Sequence, residues 1–368
     1  MNAIEVALVL GSLLSVGALW AVPRAMAQNA SAAITAGVLA LVAPAAALWL
    51  LGSVAVIPLL MRLGELAGRR GAVVIFCSAL LATLLIASRE IEGVAGQPIA
   101  LVGGAYFTLR HVHVLMEWWL GRLSIPSIAA YARYHLFLPV LMVGPIHRLP
   151  HFERQCARRR WSADEFFSGA ERALFGLALA VVVGGYLHAR LIDLLKAHEL
   201  FALSPFLESW IFSALDWVRI YITFSGFTDL ALGLSLMMGL RLEENFDRPW
   251  RARNLIEFWT RWHMTLSHWC RDYVYVPIAA SFRAPVIGVF AAMLVLGLWH
   301  ETSAYYILWA FWQALGIVLT QLYLNREDPL RLQRLPALAK SVFGPLAVLI
   351  WLSGARPVLE TALEVLIP

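Results

Sequence analysis

Long apolar runs without a charged residue recur along the chain, and they constrain its fold more than any other feature. Residues 25–61 and 71–88 are two such runs. A run of about 18 or more apolar residues can cross roughly 30 Å of hydrocarbon as a helix, in which the backbone satisfies its own hydrogen bonds. The sequence therefore predicts an all-α polytopic membrane protein, with about 9–11 transmembrane or re-entrant helices plus interfacial amphipathic helices.

The composition excludes a water-soluble protein. Hydrophobic residues make up 60% of the chain and charged residues 14%, and the mean hydropathy is +0.71, whereas soluble domains are roughly 25% charged. The three cysteines, Cys77, Cys156 and Cys270, are too few and too scattered for a disulfide framework or a zinc site, so we expect free thiols.

The positive charge does not indicate a nucleic-acid partner. The net charge of +5 is carried almost wholly by arginines that lie between apolar runs and do not form one basic face. Cytoplasmic loops rich in arginine are typical of multi-span membrane proteins. We therefore expect a multi-pass membrane protein with arginine-rich cytoplasmic loops.

Several spans have alternative interpretations. Residues 4–22 are predicted as a first membrane helix and, as the alternative, as a signal peptide, because AMA before Gln28 fits a cleavage pattern. Residues 25–61, with Pro44 near the middle, form either one long tilted helix or a hairpin of two short ones. We expect the remaining spans near residues 71–88, 98–120, 173–190, 205–222, 226–240, 285–299, 304–324 and 341–367, the last either continuous or broken around Pro357.

Two polar stretches separate these spans. Residues 145–167 are predicted as a cytoplasmic surface loop with a short interfacial helix. Residues 241–283 mix seven arginines with five acids and many aromatic residues, a composition that favours amphipathic helices at the membrane surface. These arginines either receive an anionic substrate or simply follow the positive-inside rule.

Histidines are the candidates for acid and base chemistry. His300 ends the apolar run AAMLVLGLW, so its imidazole is expected at membrane depth, where ionisable groups are commonly functional. His263 and Ser267 are four residues apart and are predicted to share a helical face. The pairs His111/His113 and His147/His151 lack the spacing or the helix that a zinc site needs, the second because of Pro150, and we expect no metal.

Three blocks of sequence carry a family resemblance. Residues 221–278 contain, in order, TFSGFTD, EENFDRP and EFWTRWHMTLSHWCRDYVYVP; residues 136–152 read LFLPVLMVGPIHRLPHF; and residues 296–316 read LGLWHETSAYYILWAFWQALG. These blocks resemble the membrane-bound O-acyltransferase (MBOAT) family, in its bacterial branch for alginate O-acetylation and teichoic-acid D-alanylation. The resemblance covers roughly residues 95–320. It implies N-terminal membrane helices at 1–94, an MBOAT-like core with a buried tunnel at 95–325 and C-terminal membrane helices at 326–368.

The resemblance also implies site residues. His300 matches the hallmark histidine of the family and is expected to be a buried general base, while His263 matches the second histidine and is expected to orient substrate or stabilise an oxyanion. The resemblance also implies supporting roles for five residues of the ENF, RWH, LS and RDY motifs: Asn245, Arg261, Ser267, Arg271 and Asp272. Three positions depart from the usual pattern: Glu301 replaces glycine, Thr223 replaces an acid, and Gln313 stands where a histidine is common.

The implied function is an O-acyltransferase. It would move an acyl group, acetyl by preference, from a cytoplasmic thioester of coenzyme A or an acyl carrier protein to a hydroxyl of an exported polysaccharide. No cofactor is expected to bind tightly, and an extracytoplasmic acetyl-handling protein is a candidate partner. The alternatives are D-alanyl transfer, peptidoglycan O-acetylation, a covalent acyl-enzyme route, and, from different classes, a transporter or flippase or a purely structural subunit of an export complex.

Overall fold

The computed structural model describes the backbone of residues 3–95, 103–141, 143–197, 204–325 and 337–366, and the side chains of these residues except at 25, 89–95, 337–340 and 365–366. These residues form α-helices, two π-helical segments (Leu179–Leu187 and Arg271–Tyr275) and connecting turns and loops, with no strand among them. The helices are α1 (Ala3–Ala21), α2 (Arg24–Val42), α3 (Pro44–Leu66), α4 (Arg70–Ala95), α5 (Gly104–Trp119), α6 (Ile128–His135), α7 (Leu149–Arg158), α8 (Ala163–Ala178), α9 (His188–Ala197), α10 (Pro205–Met237), α11 (Leu255–Arg261), α12 (Met264–Cys270), α13 (Val276–Phe282), α14 (Pro285–His300), α15 (Ala304–Leu324) and α16 (Ala337–Leu366).

The apolar runs fold as the sequence predicts. Within the described residues, seven helical segments are long and apolar enough to cross a membrane, and Met26–Val42 and Pro285–His300 are shorter apolar helices. The all-α polytopic fold class is thereby confirmed. Seven long and two short segments make nine, the lower end of the expected range. The first apolar segment is helix α1.

Helix boundaries resolve several open points. Residues 25–61 form two helices, because α2 ends at Val42 and α3 begins at Pro44, where proline takes the first helical turn without needing its missing N–H. The prediction of separate spans at 205–222 and 226–240 was wrong, since α10 runs unbroken through both. Helix α16 is likewise continuous and contains Pro345 and Pro357. Residues 98–102 of the predicted 98–120 span lie outside the described residues.

The described helices form two compact units, residues 1–177 with 226–243 and residues 178–225 with 244–368. In the first unit, glycines bring α8 and the C-terminal part of α10 into close contact. A Cβ at Gly169 would lie 2.7 Å from the carbonyl oxygen of Gly233, and one at Gly176 would lie 2.6 Å from the backbone nitrogen of Leu230. The ion pair between Arg172 and Asp229, with 2.7 Å between Nη2 and Oδ1, joins the same two helices. Small residues at such contacts are the usual means of helix association in lipid.

The first unit also buries a group of polar rings. His111 lies between Tyr131, whose hydroxyl is 2.5 Å from its Nδ1, and Ser53, whose hydroxyl is 2.9 Å from its Nε2. The ring of His135 stacks on that of His111 with 3.7 Å between centroids. Both histidines are fully buried, and so are Arg110 and His113 beside His111 on α5. These three ionisable groups of α5 therefore face protein, as the sequence predicts.

In the second unit, α16 runs alongside α10. The indole N–H of Trp210 donates to the hydroxyl of Ser353 at 2.9 Å, and that of Trp217 donates to the carbonyl of Leu352 at 3.0 Å. On α15, Trp312 donates to the carbonyl of Trp351 at 3.0 Å. Three indoles therefore hold α16 in register with its neighbours, which places its C-terminal part beside residues 209–217.

Enlarging Gly176 should loosen the first unit. Gly176→Val would force a side chain into the backbone of α10, and overpacking of this kind costs about 1–3 kcal/mol, so we expect a fall in Tm of several degrees in detergent. Gly17→Val is the control, because no atom lies within 4 Å of a Cβ built at Gly17. Equal melting temperatures for the two variants would contradict the close helix contact.

Candidate active site

His263 and His300 line one cavity of about 440 Å³ in the second unit. The walls come from α10, α11, α12, α14, α15 and α16, and most of them are aromatic or aliphatic. The polar side chains that reach the cavity are Ser213, Asp216, His263, His300, Tyr305, Tyr306, Arg356 and Glu360. A largely apolar pocket with a few convergent polar groups is the usual form of a small-molecule site.

A break between two short helices positions His263. Helix α11 ends at Arg261, and His263 adopts φ 41° and ψ 53° as the residue immediately before α12. A left-handed backbone is uncommon for a residue with a side chain and is maintained only where its surroundings fix it. The backbone N–H of Met264 donates to the carbonyl of Asn245 at 2.9 Å, and that of Ser267 donates to the carbonyl of His263 at 2.9 Å.

The side chain of Asn245 fixes the imidazole. Its Oδ1 accepts from the hydroxyl of Thr265 at 2.7 Å and lies 3.0 Å from Nδ1 of His263. An amide oxygen only accepts hydrogen bonds, so Nδ1 of His263 carries the proton and Nε2 has the lone pair. Asn245, which is fully buried, thus sets the tautomer of His263.

Aromatic rings enclose His263 on the cavity side. Phe224 packs edge-on against it with 4.8 Å between centroids, and Trp299 does so at 5.9 Å. Only 3% of the His263 surface is exposed. Burial, together with the nearby His300, lowers the pKa of His263 to about 3, so its ring is neutral near pH 7.

His300 is placed differently from the prediction. It is the last residue of α14, and its side chain is exposed, not buried. Tyr306 stacks on the imidazole with 5.5 Å between centroids, and Trp309 approaches edge-on at 5.7 Å. The helix ends at His300 and the chain turns at Glu301, so the ring lies at the open side of the cavity. The predicted span of residues 285–299 matches α14, but its apolar sequence did not indicate that the ring of His300 is exposed.

The expected supporting residues lie at different distances from the cavity. Asn245 contacts His263 directly, as described. Arg261 pairs with Glu257 at 2.8 Å and is not a lining residue, nor is Ser267. Arg271 and Asp272 pair with each other at 2.9 Å and also lie outside the lining.

The prediction that His263 and Ser267 share a helical face was wrong. His263 precedes α12 in the left-handed conformation, so the regular spacing of a helix does not apply between them. The hydroxyl of Ser267 donates to the carbonyl of Trp262 at 3.1 Å. This hydrogen bond therefore helps to hold the turn that places His263 in the cavity wall.

Three charged residues of the cavity wall were missed by sequence reasoning. Arg356 donates to Asp216 at 3.1 Å and to Glu360 at 2.9 Å. Asp216 also accepts from Arg219 at 3.2 Å. Arg356 and Glu360 are four residues apart on α16, a spacing that indicates an ion pair, but nothing in the sequence connects them with Asp216 of α10.

The three positions that depart from the family pattern differ in burial: Glu301 is exposed, Thr223 is half-buried and Gln313 is buried. Thr223 faces Gly184, where a Cβ would lie 3.2 Å from the backbone nitrogen of Thr223. Gln313 on α15 is fully buried, and neither of its amide atoms has a hydrogen-bond partner among the described residues. Across all residues that the structure describes, no group of three or more His, Cys, Asp or Glu side chains has the arrangement of a metal site.

Removing the amide of Asn245 should destabilise the site. In Asn245→Leu, the Thr265 hydroxyl and His263 Nδ1 lose their acceptor, at a cost of about 1–3 kcal/mol for a buried group. We expect a lower Tm in detergent than for Asn325→Leu, which alters an exposed residue at the end of α15. An unchanged Tm in Asn245→Leu would mean that this hydrogen bond does not hold the turn.

The depressed pKa of His263 predicts a pH-dependent stability. Between the ordinary value of 6.5 and about 3, the unfolded imidazole takes up a proton that the folded one does not, so stability is lost as pH falls through this window. For each pH unit in this window, the uptake of this proton lowers the free energy of unfolding by up to about 1.4 kcal/mol. Melting curves in detergent at about pH 7 and about pH 5 should show a smaller loss for His263→Gln than for the wild type.

The control for this measurement is His268→Gln, since His268 is exposed on α12. It should keep the wild-type loss of Tm on acidification. If acidification lowers the Tm of His263→Gln as much as that of His268→Gln, burial of His263 is not the source of the pH dependence.

Comparison with known families places these residues in context. The sequence model of the membrane-bound O-acyltransferase (MBOAT) family matches residues 104–350. This stretch contains Asn245, His263 and His300 and ends before Arg356 and Glu360. The family match therefore includes both histidines of the cavity but not the part of α16 that supplies its charged wall.

Named relatives share the same region. The "probable alginate O-acetylase AlgI" of Pseudomonas aeruginosa is 30% identical over 224 residues, which are 59% of this chain and 42% of that protein. The teichoic acid D-alanyltransferase of Bacillus subtilis is 27% identical over 65% of this chain and 66% of its own length. The peptidoglycan O-acetyltransferase of Helicobacter pylori is 26% identical over 66% and 47%, respectively. The chain thus spans less than half the length of the alginate relative.

Proposed function

Because the chain belongs to the membrane-bound O-acyltransferase family, we propose that it is an O-acyltransferase, which moves an acetyl group from a thioester to a hydroxyl of an exported polysaccharide. The single observation that carries the proposal is the meeting of His263 and His300 in one cavity of about 440 Å³. The chain is a multi-pass membrane protein, and the bacterial inner membrane is its expected location.

In this mechanism, His300 is the general base. Its neutral imidazole takes the proton of the acceptor hydroxyl while the hydroxyl oxygen attacks the thioester carbonyl carbon, which forms a tetrahedral intermediate. The intermediate collapses as the carbon–sulfur bond breaks, and the proton passes to the departing thiolate. An ester and a free thiol result, with no net change in protons.

His263 is assigned to orienting a substrate. With Nδ1 bonded to Asn245, its Nε2 holds the lone pair, so the neutral ring can accept a hydrogen bond there and cannot donate one. A developing oxyanion needs donors. The geometry therefore favours a hydrogen bond from a second hydroxyl of the acceptor, not the one that loses its proton to His300, over stabilisation of the oxyanion, and of the two roles considered for His263 we retain the first.

The substrates follow from chemistry and from the relatives. The donor is a thioester of coenzyme A or of a carrier protein, and it acts as a co-substrate with no tightly bound cofactor. Acetylation is preferred because the first relative is named as an alginate O-acetylase. D-alanyl transfer is the second candidate, supported by the relative named as a teichoic acid D-alanyltransferase, and an extracytoplasmic protein that handles acetyl groups is a candidate partner.

Replacing the base should abolish transfer. In His300→Ala, transfer from radiolabelled acetyl-CoA to surface polymer in membrane vesicles should fall by about 100-fold or more, since a general base typically supplies about 10²–10⁴-fold. His268→Ala should stay within about twofold, because His268 is exposed and does not line the cavity. A His300→Ala enzyme with near wild-type turnover would overturn this assignment.

The same vesicles separate the enzyme from a transporter. If the wild type moves polymer across the membrane without forming an ester, the proposal fails and an export role replaces it. Mass spectrometry of the polymer identifies the group that is attached, because acetyl and D-alanyl groups differ in mass.

A further inference from the structure

A second cavity adjoins the one that holds the histidines. It has a volume of about 480 Å³ and lies between α9, the start of α10 and the end of α16. Lys196, Glu208, Ser209 and Phe212 line it, and it shares Asp216 and Arg356 with the first cavity. We call it the outer cavity. Apart from the two shared residues, its lining residues differ from those around His263.

The shared wall is a network of ion pairs. Arg356 lies 3.1 Å from Asp216 and 2.9 Å from Glu360, and Glu360 also accepts a hydrogen bond from Ser209 at 3.3 Å. The arginine side chain is 45% exposed. A partly exposed ion pair contributes little stability on its own. A ligand that offers hydroxyl or carboxylate oxygens can therefore replace the carboxylates that now pair with Arg356.

The outer cavity lies at the end of the second unit opposite its arginine-rich segment. Gly344 of α16 packs on the backbone of Arg253, where a Cβ would lie 2.8 Å from the Arg253 Cα. Gly344 and Glu360 are 16 positions apart on one helix, which is about 24 Å at 1.5 Å per residue. By the positive-inside rule, the end with Arg248, Arg251 and Arg253 is cytoplasmic. The outer cavity is then extracytoplasmic.

These features assign a ligand class. We propose that the outer cavity is the acceptor subsite, which binds units of a polyhydroxylated chain next to the one that presents its hydroxyl to His300. This inference rests on the proposed acyl transfer. Arg356 is the specificity-determining residue of the subsite, because it touches both cavities.

The chemistry of the lining fits such a chain. Lys196 and Arg356 offer N–H donors, and Glu208 and Asp216 offer acceptors, a balanced set that suits ligands with many hydroxyls. The Lys196 ammonium lies 5.5 Å from the centre of the Phe212 ring, and that ring gives the cavity an apolar surface. Arg356 and Glu360 lie beyond the family match that ends at residue 350, whereas Asp216 lies within it.

A kinetic comparison tests the role of Arg356. Arg356→Gln should raise the KM for the acceptor by about tenfold or more, because it removes a charged donor from the subsite, while the KM for the thioester stays within about twofold. Arg219→Gln is the matched control, since Arg219 pairs with the same Asp216 but lines neither cavity. Equal effects of both variants, or a change in donor KM alone, would overturn the assignment.

Thiol labelling tests binding without any turnover. In right-side-out vesicles, Ser209→Cys should react with a membrane-impermeant maleimide above the background of the parent protein. Millimolar oligomers of a uronate, a neutral sugar or glycerol phosphate serve as probes, and at least one should slow labelling by about threefold or more. Ser204→Cys, at the exposed start of α10, should be labelled without protection.

The outcomes distinguish the two proposals. Protection by a uronate, a neutral sugar or glycerol phosphate identifies which kind of chain the subsite takes. If none protects Ser209→Cys, or if it reacts only in inside-out vesicles, the subsite is refuted even where His300-dependent transfer is seen. If protection is seen but the wild type transfers no acyl group, the acyltransferase proposal fails and the binding site stands.

Discussion

The acceptor oxygen of Asn245 is the interaction on which the site depends. Within a membrane protein the simplest way to satisfy the backbone is an unbroken helix, yet a side chain at the centre of a cavity needs a break. Asn245 makes the break possible, because it accepts from Thr265 and holds His263 beside it. One buried amide therefore fixes the turn, the tautomer and the direction of the imidazole.

The two histidines differ in their surroundings, and the proposed mechanism gives them different roles. His263 is enclosed by aromatic rings and anchored by an amide, whereas His300 ends a helix at the open side of the same cavity. Catalytic pairs commonly gain distinct functions in this way, from environment more than from residue type. A rigid, neutral ring suits positioning, while an accessible one suits proton transfer.

Much of the fold could be predicted from the sequence, because the rule that governs it is local. Apolar length alone indicated the membrane helices, and Pro44 marked a possible boundary between α2 and α3. The break before His263 could not be predicted, since the residues around it fit a helical period and only a distant Asn245 stabilises the turn. The exposure of His300 and the Asp216–Arg356 pair also depend on contacts between separate helices, which no local pattern encodes.

Helix α16 has a consequence for how a protein of this kind diversifies. Its last turns contribute the charged side of the chamber, yet they lie after the stretch that the family model recognises. Substitutions in these turns can therefore reshape one side of the chamber while both imidazoles stay in place.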